Sequence, residues 1–100
     1  MANPTQGSLQ KLRHASKKTR VQNTNAETTV KATAGILQRI VITNANAAVQ
    51  TLTVTDGSTT LGVFEILPDK TETWEFGCVM DASIKVTPSS TNIDALVVWD

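Results

Sequence analysis

Leu52 and Val54 alternate with Thr51, Thr53 and Thr55, and Ala82, Ile84 and Val86 alternate with Ser83, Lys85 and Thr87. A period of two puts successive side chains on opposite faces of a strand, so each segment predicts a half-buried strand with its apolar face turned inward. The same reading along the rest of the chain predicts strands over 19–24, 28–33, 36–43, 50–55, 60–67, 72–76, 82–87 and 92–99. Residues with turn chemistry separate them: Gly35, Asn44 to Asn46, Asp56-Gly57, Pro68-Asp69, Gly77 and Pro88-Ser89-Ser90. Short strands at this spacing, with no helix-period segment across 28–99, predict an all-β chain. The expected fold is a single antiparallel β-sandwich of about eight strands, jelly-roll-like or immunoglobulin-like.

Composition strengthens the strand reading. Thr (16), Val (10) and Ile (6) dominate the 100 residues, and β-branched side chains lose rotamer freedom in a helix while packing well on a pleated sheet. Residues 1–18 differ in kind: Ser, Gln, Lys and Asn are frequent, and Leu9 and Leu12 are the only large aliphatic side chains. That is too little apolar surface to offset the entropy of ordering. The expected organisation is a basic N-terminal arm over 1–18 and a β-sandwich domain over 19–100. Ser8 could cap a short helix reaching to about Ser16, which would need a partner surface to persist.

The formal net charge of zero conceals a division. Lys11, Arg13, Lys17, Lys18 and Arg20 all precede the first acid, Glu27; the rest of the chain carries four basic side chains against nine acidic ones. A basic segment on an acidic body predicts docking onto an acidic neighbour, and those five side chains are the candidate partner-binding residues. Contact with nucleic acid is the lesser reading: the segment has no aromatic side chain on which a base could stack, and the acidic body would repel a phosphate backbone. No 18-residue apolar run predicts a membrane span. The N-terminus also lacks the apolar stretch of a secretory signal, so the chain reads as mature.

Candidate chemistry is sparse. The single histidine, His14, lies among Arg13, Lys17 and Lys18, a poor setting for a general base. One histidine and one cysteine, Cys78, make neither a zinc site nor a disulfide, and Cys78 reads as a small core residue. Glu65, Asp69, Glu72 and Glu75 are close in sequence, but Glu75 alternates with Trp74 and Phe76 and so reads as solvated. Asp56-Gly57-Ser58 resembles a fragment of a calcium loop whose other ligand positions are missing, and reads as a turn. Trp74 and Phe76 share a strand face and are expected in the core. Trp99 ends the apolar run Ala95-Leu96-Val97-Val98 and is the candidate interface aromatic. No catalytic residue, cofactor site or metal site is expected, and the chain reads as non-enzymatic.

The run Thr33-Ala34-Gly35-Ile36-Leu37 leading to Ile40-Val41-Ile42-Thr43-Asn44, then Thr51-Leu52-Thr53-Val54-Thr55-Asp56-Gly57, resembles small β-sandwich structural proteins of phage virions. The closing stretch from Ser83-Ile84-Lys85-Val86-Thr87 to Ala95-Leu96-Val97-Val98-Trp99 fits their last hairpin, so the resemblance covers about residues 28–99. It implies a capsid decoration or cement role, with the major capsid protein or another virion protein as partner and the virion as location after synthesis in the host cytoplasm. The small acidic body and its apolar C-terminal strand predict a homo-oligomer, and analogy makes it a trimer. A head–tail or tail-associated joint and a carbohydrate-binding host-attachment sandwich are the alternative roles.

Overall fold

Alternation of threonine with aliphatic residues is realised as eight strands and no helix in the computed structural model, which describes residues 16–100. They are β1 (Lys17–Gln22), β2 (Thr28–Lys31), β3 (Gly35–Asn44), β4 (Gln50–Asp56), β5 (Thr59–Ile66), β6 (Lys70–Met80), β7 (Ile84–Pro88) and β8 (Ile93–Trp99). Two four-stranded antiparallel sheets pack together, one ordered β1-β8-β3-β6 and the other β2-β7-β4-β5. The pairing is nested: β4 with β5, β3 with β6, β2 with β7 and β1 with β8. Further ladders join β3 to β8 and β4 to β7, completing each sheet.

Between the sheets lie Val21, Val30, Leu37, Ile40, Ile42, Leu52, Val54, Ile66, Met80, Ile84, Val86, Ile93, Ala95 and Val97, all buried. Removing such side chains from water, at about 25 cal/mol per Å² of apolar surface, is the main force closing the sandwich. Leu52 and Val54 of β4 and Ile84 and Val86 of β7 point inward, following their alternation. Ala82 does not: it is exposed in the turn before β7, while Ser83 is buried in its place.

Strict alternation fails inside β3, where the buried positions are Leu37, Ile40, Ile42 and Asn44. A bulge resolves the conflict. Phe76 and Gly77 of β6 oppose Gln38 alone, between the pairs Leu37↔Cys78 and Arg39↔Glu75. On the other side Leu37↔Trp99 is followed directly by Arg39↔Val98. The extra residue shifts the phase of the strand, so Leu37 and Ile40 both face the core while Gln38 and Arg39 stay out.

The sequence predicts a break at Gly77, yet β6 runs through it to Met80. Gly77 has φ +58° and supplies the left-handed conformation that the bulge requires. A side chain there would meet nothing within 4 Å. Gly77→Ala is therefore expected to cost about 1–2 kcal/mol, from backbone strain alone, read as a lower urea midpoint with an unchanged m-value.

The first strand also departs from expectation. β1 begins at Lys17 and forms a continuous ladder with β8 from Lys17↔Trp99 to Gln22↔Asp94, so Lys17 and Lys18 belong to the sheet and not to the arm. Asn23, with φ 60°, turns the chain out of the strand before 24. Charged side chains hid only the start of this strand, because Lys17 and Lys18 are held by the backbone ladder to β8 and not by an apolar face.

Asn44, at the end of β3, has no exposed surface, and it ends a strand where the sequence predicts a turn. Its Nδ2 donates to the carbonyls of Ala48 (3.0 Å), Ile66 (3.0 Å) and Leu67 (3.3 Å), and its Oδ1 accepts from the Asn46 N–H (2.9 Å). One amide thereby fixes both the β3–β4 loop and the end of β5.

Candidate functional site

Lys11, Arg13 and His14 lie outside the described residues; Lys17, Lys18 and Arg20 project from β1, the edge of its sheet. Register divides them between two faces. Lys17 pairs with Trp99, and Lys18 and Arg20 alternate to the outer face opposite Val98 and Leu96. Arg20 is engaged within the subunit: its Nε donates to Asp94 Oδ1 (3.0 Å) and its Nη2 to Asp94 Oδ2 (2.5 Å). These hydrogen bonds and the carboxylate charge raise the guanidinium pKa above its ordinary value. Lys17 and Lys18 make no ion pair among the described residues.

Trp99 is half-buried against the core. Its Nε1 donates to Thr19 Oγ1 at 2.8 Å, a diagonal contact across the β1–β8 ladder. The ammonium groups of Lys17 and Lys31 stand 5.8 and 5.6 Å from the centre of its ring. With its N–H satisfied and two cations over the ring, the indole is a poor free platform for a sugar. Lys31 also donates to the carbonyl of Asp100 (3.2 Å), and Gln38 joins Ser16 Oγ to the Asp100 carboxylate.

The outer face of the β1-β8-β3-β6 sheet carries an open depression of about 230 Å³, lined by Arg20, Val41, Thr43, Asp94 and Leu96. Val41 and Leu96 are opposed across the β3–β8 ladder, as are Thr43 and Asp94, so an apolar centre is framed by one ion pair and a hydroxyl. This arrangement can accept one apolar side chain of a partner. It contains no paired nucleophile and base. Among the described residues no three His, Cys, Asp or Glu side chains gather at metal-ligating distance.

Comparison of the chain with protein-family models, curated protein sequences and solved structures finds no match. Function therefore rests on the geometry of the chain itself.

The four carboxylates close in sequence do not form a site. Glu75 is paired with exposed Arg39 (3.2 Å), and Glu72 Oε1 accepts from Trp74 Nε1 (3.3 Å). Cys78 is half-buried beside Met80. The Asp56-Gly57-Ser58 turn, by contrast, has a structural task that sequence reasoning missed. The Asp56 carboxylate accepts the backbone N–H groups of Asp81 (2.8 Å), Ala82 (2.8 Å) and Ser83 (3.2 Å), and the Gly57 N–H returns a bond to Ser83 Oγ (3.0 Å). The bonds from Asp81 and Ala82 hold this carboxyl below its usual pKa. A carboxylate whose folded-state pKa is depressed stabilises the fold above its unfolded value of about 3.9 and loses that contribution as pH falls through the folded value. Asp56→Asn is accordingly expected to be less stable than the native chain at pH 7 and to converge with it as pH falls through the depressed pKa of the carboxylate, measured as Tm against pH. A pH-independent gap would assign the loss to something other than the charge.

Proposed function

We propose that this chain is a jelly-roll structural subunit of a phage virion, a non-enzymatic capsid decoration or cement protein. The observation that carries the reading is the nested strand order, β1-β8-β3-β6 on β2-β7-β4-β5. Nested pairing of an eight-stranded chain wound into two sheets is the jelly-roll pattern, an architecture that recurs in viral capsid and lectin domains. The immunoglobulin-like alternative would need a different order of strands. Jelly-roll architecture does not by itself fix a role; the resemblance over 28–99 and the basic N-terminal segment point it toward the virion. Decoration works by added burial: each subunit bound across a capsomer boundary stabilises the assembled shell by mass action.

In this reading the docking elements are the basic segment, with Lys11 and Arg13, and the β1 edge, with Lys17 and Lys18. Arg20, already paired with Asp94, contributes less. The test is quantitative mass spectrometry of purified particles. Hundreds of copies support decoration; six or twelve move the chain to a head–tail joint; absence from the particle overturns the virion role. A chain beginning at Ser16, which keeps β1 intact, is expected to melt like the full chain and to co-sediment less with particles lacking the protein. Equal binding would place attachment on the sandwich alone.

A further inference from the structure

The two sides of the sandwich are chemically opposite. One side is bounded by the edge strands β1 and β2, whose Lys17 and Lys31 meet over the Trp99 ring. These strands carry Lys17, Lys18, Arg20 and Lys31 and no acid. The other side is bounded by β5 and β6, where Phe64 packs on Trp74 (centroids 5.4 Å apart) and on Phe76 (5.5 Å). β5 and β6 carry Glu65, Glu72 and Glu75 against Lys70 alone, with Asp69 in the turn between them. The exceptions to the division are Glu27 just before β2, Asp94 paired with Arg20, Asp100 beside Lys31, Arg39 paired with Glu75, and Lys70.

The acidic side is also the apolar one. Val63 (58% exposed), Leu67 (54%) and Val79 (70%) project from it, and the three aromatic residues are half-buried there. Natural edge strands are blunted by lysine, proline or shortness. β1 is protected by its lysines and β2 by its length of four residues. β5 has neither lysine nor shortness: Thr59-Thr60-Leu61-Gly62-Val63-Phe64-Glu65-Ile66 is an eight-residue edge with one charge, interrupted by a bulge at Leu61.

We propose that this chain assembles head-to-tail with further copies of itself, the β1/β2 side of one copy seated on the β5/β6 side of the next. Strand direction supports this arrangement. Through the antiparallel ladders β1 and β3 run one way and β8 and β6 the other; β2 and β4 run together, against β7 and β5. A copy placed sideways in the same orientation brings β1 antiparallel to β6 and β2 antiparallel to β5, so both sheets meet compatible edges at once. A two-fold pairing of β5/β6 sides would instead bring two glutamate-bearing sides together. The ladder row Lys18–Val98–Arg39–Glu75 sets Lys18 of β1 level with Glu75 of β6 in the adjoining copy, so charge favours the heterologous contact and selects the partner side. A heterologous contact closes as a ring of at least three subunits or propagates as a filament. This inference does not depend on a virion role.

The test is light scattering and sedimentation of the full chain at micromolar concentration and low ionic strength. A mass of at least three 10.7 kDa chains is expected, falling as salt rises. Lys17→Glu with Lys18→Glu on β1, or Glu72→Lys with Glu75→Lys on β6, should each weaken association at least about tenfold. Placing all four reversals in one chain should restore it, an outcome that misfolding cannot produce. A monomer at all salts, a dimer, or a four-fold reversed chain that stays apart although folded by circular dichroism would overturn the proposal.

Discussion

Asn44→Ala is expected to destabilise the sandwich by about 3 kcal/mol, a substantial part of the 5–15 kcal/mol typical of a domain this size. The argument is one of unpaired groups. The Asn44 side chain is fully buried and is the donor to three backbone carbonyls, those of Ala48, Ile66 and Leu67, and the acceptor for the Asn46 N–H. Alanine leaves several of these without a partner where water has poor access, and each buried orphan costs about 1–3 kcal/mol. Asn44→Asp keeps an acceptor but sets a carboxylate against the same carbonyls. It should be at least as damaging at neutral pH and should recover in part as pH falls, when the protonated acid can donate again. Urea unfolding reads both variants. An unchanged midpoint for the alanine form would mean that the 45–49 loop and the end of β5 have other support.

Trp74→Ala is expected to cost about 2–3 kcal/mol, below the 3–5 kcal/mol usual for emptying a fully enclosed aromatic site. Sequence alternation puts Trp74 in the core, but the structure leaves it half-buried on β6, an edge strand, packed on Phe64 with its N–H turned to Glu72. Its removal takes away a tilted aromatic pair and opens the space between β5 and β6, where no further strand covers the gap. Loss of near-ultraviolet ellipticity should accompany the lowered urea midpoint. If stability holds while self-association falls, Trp74 serves the β5/β6 surface and not the interior.

Much of the sandwich was legible because burial on one face writes a period of two into a strand. Leu52 and Val54, and Ile84 and Val86, were placed from that signal, the last strand from its continuous apolar run, and each forms the expected strand within a residue or two. The signal failed where a residue's role comes from its partner. Lys17 and Lys18 look like solvated tail until β8 supplies their ladder. Gly77 looks like a break until Gln38 lies opposite it. Ala82 fits the alternation but is held outside by the Asp56 carboxylate, which binds the turn containing it.

The candidate site was legible in composition and not in geometry. The excess of positive charge before Glu27 is plain in the sequence. That Arg20 is neutralised by Asp94, 74 positions away, follows only from the register of β1 on β8. The depression framed by Val41, Thr43 and Leu96 likewise depends on the β3–β8 ladder.

By itself, then, the sequence determined that this chain is built of strands, where most of them run, and which side chains face inward, because local backbone preference and one-sided burial act over a few residues. Strand order, the β3 bulge, the enclosure of Asn44 and the gathering of basic residues on one side and acidic and aromatic residues on the other were decided only by tertiary structure. Each of these depends on which distant segment becomes a strand's neighbour, and that choice minimises the exposed apolar surface and unpaired hydrogen-bonding groups of the whole chain, a quantity no short window contains.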